Sequence, residues 1–300
     1  MDVSLFSPAK LNLFLAVTGR RPDGFHDLVS VVAPLDFGDQ LVAEAGGKRQ
    51  EAGGNRFSLS CDHPDVPTDD SNLVLKAAAA FVAATGWKGG IDFKLTKRIP
   101  PGAGLGGGSS NAVAALRALN QLTGGRIDET QLATVAATLG SDCALFLANT
   151  PVVMRGRGER LESLPATAAA RLRGRRVLLF KPAFGVSTPW AYQRMITRGT
   201  DYLPADQAEE QLAAWVCGNA PAEELHGNNM EPAVFEKYPA LPVLREKMFH
   251  EFGVHVHVRM SGSGSACYTL LNDSHAAAPL VTRIRECWGA GAFVQEARLA

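Results

Sequence analysis

Residues Pro100 to Ser110 read Pro-Pro-Gly-Ala-Gly-Leu-Gly-Gly-Gly-Ser-Ser, five glycines in eleven positions, and no other stretch restricts the fold as tightly. Such a run gives up ordered side chains so that backbone can enter positive φ and bring its N–H groups close to a ligand, which is how a polyphosphate is cradled. Upstream, Ile91, Phe93 and Leu95 alternate with Asp92, Lys94 and Thr96, which predicts a strand. Downstream, Ser109-Ser110-Asn111 offers an N-cap, and Ala112, Ala115, Leu116, Leu119 and Leu122 mark one apolar helical face ending at Gly124-Gly125. Strand, glycine loop and helix in that order deliver an anion to a helix N-terminus. A flexible Gly/Ser linker is disfavoured, since linkers are not framed this way.

Gly102, Gly104 and Gly107 satisfy the G-x-G-x-x-G dinucleotide fingerprint, but a Rossmann unit should return through a parallel strand carrying an acidic residue about 20 positions on. A second helix follows instead, opened by the capping box Asp128-x-x-Gln131 and closed at Gly140. The loop lacks the Gly-Lys-Ser/Thr ending of a P-loop, and the protein-kinase catalytic motifs are absent.

A chain of 300 residues has room for two domains. The change from one to the other is expected in the Arg- and Ala-rich segment Ala166 to Arg176, giving domains 1–165 and 166–300. Thirty basic residues balance thirty acidic ones, so no net field draws nucleic acid or a membrane surface. The N-terminus has no basic leader and no stretch approaches the roughly 18 apolar residues of a membrane span, so a cytoplasmic protein is expected. Cys61, Cys143, Cys217, Cys267 and Cys287 are odd in number and form no C-x-x-C pair, which predicts reduced thiols.

Along the chain, Leu11, Leu13, Leu15 and Val17 alternate with Asn12, Phe14 and Ala16 in a first strand that presents Lys10 and Asn12 toward a site. Pro22-Asp23-Gly24 turns it. Strands are expected at Leu28 to Val32, Leu41 to Ala45 and Phe57 to Cys61, with a Gly-rich hairpin loop at Gly46 to Asn55. Ser71 should cap an Ala-rich helix running to Thr85. After Gly140-Ser141-Asp142 come an apolar run, Cys143 to Leu147, and a strand at Pro151 to Arg155. The remainder predicts a strand at Val177 to Phe180 and helices opened by Thr188-Pro189 and near Ala208–Cys217 and Leu241–Phe252. A strand at Val254–Met260, the loop Ser261–Ser265, a strand at Cys267–Leu271, a helix at Ala276–Trp288 and a strand at Phe293–Ala297 complete it. Strands followed by helices, then a split β-α-β order, indicate an α+β protein. His255 and His257 share a strand face, but with no third ligand in view a solvated face is the better reading and no metal site is assigned.

Pro8-Ala9-Lys10-Leu11-Asn12, the loop Pro100 to Ser110, Gly140-Ser141-Asp142 and Ser261-Gly262-Ser263-Gly264-Ser265 together resemble the GHMP kinase family, in order and across the whole chain. Gly19-Arg20-Arg21-Pro22-Asp23-Gly24-Phe25-His26 with the triple glycine narrows the resemblance to members that phosphorylate a cytidylated sugar alcohol diphosphate. Here Phe25 stands where Tyr is often found, and Cys143-Ala144 follow Asp142 where a small apolar residue and Pro are usual. The resemblance implies a ribosomal-protein-S5-like N-terminal domain, a ferredoxin-like C-terminal domain, an active site in the cleft between them, and ATP with Mg²⁺ as phosphoryl donor. The implied partners are small molecules, with no nucleic acid and no membrane, in a monomer or weak homodimer.

Phosphoryl transfer needs a phosphate cradle, charge to offset the transition state and a group to receive the acceptor's proton. The resemblance assigns the cradle to Pro100, Pro101, Gly102, Ala103, Gly104, Leu105, Gly106, Gly107, Gly108, Ser109 and Ser110, with Lys97 and Asn72 near the adenosine. It makes Asp142 the base, where residue pattern alone favours an N-cap for Cys143–Leu147, and Lys10 its charge partner. His26 and Phe25 become readers of the cytosine, against a satisfied turn histidine and a core aromatic. Phe184 would close the other side of the base or pack in the core, Asn12 would face the acceptor, and Ser261–Ser265 would support the glycine loop or simply form a hairpin turn.

Overall fold

Two long strands open the chain, β1 (Asp2–Arg20) and β2 (His26–Ala45), joined by a turn in which Gly24 takes φ 85° and the Arg21 amide donates to the Phe25 carbonyl at 2.8 Å. The structure, a computed structural model, describes residues 2–45, 56–225, 227–253, 256–272 and 276–300. It divides into two compact units that interleave along the chain: Met1–Ala9, Phe37–Pro101 and Gly106–Asn149 in the first, Lys10–Asp36, Gly102–Leu105 and Thr150–Ala300 in the second. β1 and β2 therefore each contribute residues to both.

In the first unit, the end of β2 pairs antiparallel with β4 (Ile91–Thr96), Leu41 opposite Leu95, and β4 pairs in parallel with β3 (Phe57–Cys61), Leu59 opposite Phe93. Helices α1 (Leu73–Thr85), α2 (Gly107–Leu122) and α3 (Glu129–Leu139) pack on one another. Their inward residues, Ala77, Ala78 and Phe81 on α1 and Ala112, Ala115, Leu116 and Leu119 on α2, are buried, and the alanines let the two backbones approach closely. The capping box of α3 is present, Gln131 N donating to Asp128 Oδ1 at 2.8 Å and the Gln131 side chain accepting from Asp128 N at 3.0 Å.

In the second unit, the start of β2 pairs antiparallel with β5 (Val152–Gly156) and β5 with β6 (Arg160–Ser163). A separate antiparallel sheet runs in the order β10-β7-β9-β8, with β7 at Arg176–Lys181, β8 at Arg259–Met260, β9 at Cys267–Leu271 and β10 at Phe293–Arg298. Helices α4 (Ala166–Leu172), α5 (Thr188–Arg198), α6 (Ala205–Cys217), α7 (Glu231–Lys237), α8 (Ala240–Phe252) and α9 (Ala277–Trp288) complete the unit. Phe180, Met195, Val234, Leu244, Met248, Leu271 and Ile284 lie together in its core. This is the α+β class expected, and the sheet with its helices has the ferredoxin-like character that the split β-α-β order implied.

Several expectations are corrected. The strands expected at 28–32 and 41–45 are one, because Asp36 and Asp39, which interrupt the apolar alternation, satisfy specific amides: Arg298 N donates to Asp36 at 2.7 Å and Ile99 N to Asp39 at 2.8 Å. β1 begins at Asp2, well before Lys10. Caps move by one residue: Asn72 rather than Ser71 accepts from Val74 N at 2.9 Å, and Ser187 rather than Thr188 caps α5. The expected strand Val254–Met260 is reduced to β8; residues 254–255, with His255, and the loop Gly46 to Asn55 lie outside the described residues. Among the described residues, no helix is long and apolar enough to cross a membrane.

Candidate active site

β4 leads into the glycine stretch, and α2 leads out of it. α2 begins at Gly107, two residues earlier than Ser109, because Gly106 at φ 73° serves as N-cap with no side-chain hydrogen bond. The first amides of the helix thus receive no side-chain cap, and they carry the positive end of a helix of 16 residues. Gly107 has a different constraint: a Cβ there would meet Lys97 Nζ at 2.8 Å and Ile99 Cγ2 at 3.1 Å. Behind this turn Lys97 is paired with buried Asp39, so its ammonium is fixed in place. Asn72, expected near the adenosine, caps α1 and donates through Nδ2 to Pro67 O at 2.6 Å.

In the same unit Asp142 lies in a half-buried turn, and the following 3-10 turn, Ala144–Leu147, has Cys143 at its N-cap with no side-chain bond. The capping role that residue pattern favoured for Asp142 is therefore not the one it takes. Burial pushes the Cys143 thiol up to about 11 despite a hydrogen bond with the Ser109 hydroxyl, so it stays protonated and unreactive near neutral pH. The 3-10 turn that follows packs against α2 and α3. All five cysteines are free.

In the second unit, three segments meet the stretch Gly102–Leu105. Lys10 N donates to Leu105 O at 3.0 Å, Ala266 N to Ala103 O at 3.0 Å, and Ser261 Oγ to Gly104 O at 3.3 Å. A Cβ on Gly104 would lie 2.5 Å from Ser261 O, and one on Gly185 3.3 Å from Gly102 O. Hence both readings of Ser261–Ser265 hold: it is the turn between β8 and β9, with Ser261 N donating to Ala266 O at 2.9 Å, and it supports the glycine stretch. Lys10 is buried, and its ammonium donates to Asn12 Oδ1 at 2.5 Å, while Asn12 Nδ2 donates to Ser30 Oγ at 2.9 Å. Ser30 in turn donates to Phe14 O at 2.6 Å. An ammonium only donates, so this chain fixes the Asn12 amide and aims the cation.

His26 is 7% exposed. Its ring stacks on Tyr192 at 4.6 Å and 24°, and on Tyr202 at 6.0 Å, with Nε2 3.2 Å from the Tyr202 hydroxyl. Burial, then the charge of Arg20, lowers its pKa, so the neutral ring offers one donor and one acceptor near pH 7. Phe25 is 50% exposed with the Arg157 guanidinium 4.7 Å over its ring. Phe184 stacks on Tyr238 at 5.0 Å, and its carbonyl is held by Ser265 Oγ at 2.6 Å and Lys181 Nζ at 3.0 Å. The ring partners of His26 are thus the two tyrosines, and Phe184 belongs to another aromatic pair.

Sequence reasoning missed Asp39, Ser7, Ser30, Tyr192 and Tyr202. Asp39 left a trace, a carboxylate within an apolar strand run; the tyrosines left none, since one is a helix residue and the other a loop residue far along the chain.

Residues 72–154 match the GHMP kinases N terminal domain and residues 208–290 the GHMP kinases C terminal domain. A protein of Methylacidiphilum infernorum named 4-diphosphocytidyl-2-C-methyl-D-erythritol kinase is 37% identical, the alignment covering 98% of this chain and 95% of that protein. One of the same name from Synechococcus elongatus is 36% identical over 95% and 91%. A crystal structure of 4-(cytidine 5'-diphospho)-2C-methyl-D-erythritol kinase superimposes with TM-score 0.76 at 34% identity, covering 99% of this chain and all, 100%, of that one. The mevalonate kinase of Methanococcus jannaschii shares the fold at TM-score 0.71 and 12% identity, over 100% and 99% of the two chains. With both domains matched and relatives above a third identical along nearly the whole length, the chain belongs to the GHMP kinase family.

Proposed function

We propose that this protein is the ATP-dependent kinase that phosphorylates the 2-hydroxyl of 4-diphosphocytidyl-2-C-methyl-D-erythritol, in the methylerythritol phosphate route to isopentenyl diphosphate. The observation that carries the reading is the pairing, in one chain, of an uncapped helix N-terminus after a glycine loop with a buried neutral histidine set among tyrosines. The first suits a triphosphate, the second the edge of a pyrimidine.

In this reading the stretch Pro100–Ser110 holds the phosphates, and Lys97 and Asn72 border the nucleotide. Asp142 receives the proton of the attacking hydroxyl, and Lys10, oriented by Asn12, offsets the charge that develops on the transferred group. Phe25, His26, Phe184 and Asn12 line the acceptor's side. Among the described residues, no three of His, Cys, Asp and Glu cluster to cage a metal. Ser109 and Ser110, in the first turn of α2, are the hydroxyls that would bond a water of magnesium brought by the nucleotide. When bound, it would neutralise phosphate charge. The family division falls at 1–165 and 166–300, and the protein acts in the cytoplasm as a monomer or weak homodimer.

The test is ATP consumption across a panel of alcohols: the cytidylated diphosphate, methylerythritol phosphate without the cytidyl group, homoserine and mevalonate. The cytidylated compound should be preferred by a wide margin. A better turnover with homoserine or mevalonate would move the protein elsewhere in the family, and no turnover with any would leave a nucleotide-binding sensor.

A further inference from the structure

Asp39 is a completely buried carboxylate, 0% exposed, within β2, just before the part of the strand that pairs with β4. Its Oδ1 accepts from Arg98 N at 2.7 Å and Ile99 N at 2.8 Å; its Oδ2 accepts from Asn111 Nδ2 at 2.9 Å and from the Lys97 ammonium. Arg98 and Ile99 stand immediately before Pro100, where the glycine stretch begins, and Asn111 stands in the first turns of α2, where it ends. One carboxylate therefore ties both ends of the stretch. The Asn111 amide goes on to donate to Ser7 Oγ at 2.8 Å, and Ser7 Oγ donates to Ser110 Oγ at 2.8 Å. Because a carboxylate only accepts, Asn111 must face Asp39 with its nitrogen, which sets the polarity of the whole chain.

A buried ion pair is a weak means of stabilising a fold, since well-packed apolar residues often do as well. The placement argues for another use. Glycines lose more backbone freedom on ordering than any other residue, so a cradle made of them stays disordered unless its ends are pinned. Lys97 also occupies the space that a Cβ on Gly107 would take, at 2.8 Å, so the ion pair abuts the first residue of the helix.

We propose that Asp39 is a positioning residue for the nucleotide cradle: acting through Lys97 and Asn111, it holds the two ends of the glycine stretch at the spacing that aims the first amides of α2 at the triphosphate. The inference rests on the nucleotide half of the reading above and is independent of the acceptor.

The experiment compares the parent with Asp39→Asn, with Asn111→Ala, and with the exchange Asp39→Asn plus Asn111→Asp, which reverses each polar group while keeping one negative charge beside Lys97. Two readouts are taken: KM for ATP and for the acceptor, and hydrogen exchange of the peptide spanning 100–110 without nucleotide. Asp39→Asn should raise the ATP KM by about 10- to 100-fold, the scale of a misplacement near 1 Å, leave the acceptor KM within about twofold, and speed exchange in the loop. The exchange variant should recover most of both losses. Equal rises in both KM values with unchanged loop exchange, or an ATP KM matching the parent, would overturn the proposal. If Asp39→Asn does not fold, Asn111→Ala carries the test: faster loop exchange with a raised ATP KM supports it, and parental values overturn it. A parent that consumes no ATP, yet whose loop exchange accelerates in Asp39→Asn, removes the kinase reading and leaves the clamp standing.

Discussion

In the proposed reading the groups offered around Gly106 are backbone amides, with the side chains of Asp39, Asn111 and Ser7 buried behind them; those offered around His26 are side chains, drawn from the start of β2, from α5 and from the loop after it. Backbone amides at a helix start are held by the helix, so the cradle depends on what the chain leaves out: a Cβ at Gly107, a side-chain cap at Gly106. The aromatic site depends on what is put in. Deleting a group should therefore hurt the second region and adding one should hurt the first, each through its own substrate.

The sharpest break is Asp142→Asn, which should lower kcat by about 10²-fold or more while both substrates still bind, the loss expected of a general base. Near-normal turnover would remove that assignment and leave only the two binding regions to compare. Gly107→Val comes next: its branched side chain would drive into Lys97 and Ile99, and the ATP KM should rise by up to about 10²-fold with the acceptor KM steady. An acceptor KM that rises equally would mean that the regions are not separable.

On the other side, His26→Ala should weaken acceptor binding by about 1–3 kcal/mol and leave ATP affinity unmoved, since base groups lose their partner. Tyr202→Phe removes only the hydroxyl beside Nε2 and should cost about 0.5–1.5 kcal/mol, again on the acceptor alone. Isothermal titration with each substrate separates the cases; a Tyr202→Phe loss as large as that of His26→Ala would place the tyrosine, not the histidine, on the base.

The smallest effect is on pH. His26 has a folded-state pKa below the usual 6.5, so the unfolded chain takes up the proton first as the pH falls. Its contribution to stability is intact above 6.5 and is lost as the pH falls through the lower folded-state value. Acceptor KM should be flat near neutrality and rise only on the acid side, and the acid limb should disappear in His26→Ala. A limb centred above 6.5 would contradict a buried, neutral ring.

Local pattern made much of the fold legible. β4, β7, β9, the α3 capping box and the span of α1 all follow from alternation, helical faces and caps that neighbouring residues decide among themselves. The short helix α7 and the edge strand β6 escaped, being 7 and 4 residues long, too brief for a period to register. The family resemblance came from segments whose chemistry is local: the glycine loop, Pro8–Asn12 and Asp23–His26.

By itself, then, the sequence determined that a glycine stretch leads into a helix start, because glycine's missing side chain is a property of the residue. It also determined the class of the fold, because strand and helix periods are short-range. Tertiary structure alone decided that Gly106 rather than Ser109 opens α2, that Asp39 gathers the two ends of the loop, that Asn12 is taken up by Lys10 and Ser30, and that Tyr192 and Tyr202 stack about His26. Those choices turn on which distant groups can satisfy a buried donor or fill the face of a ring, and nothing in the spacing of residues along a chain records which ones will be near.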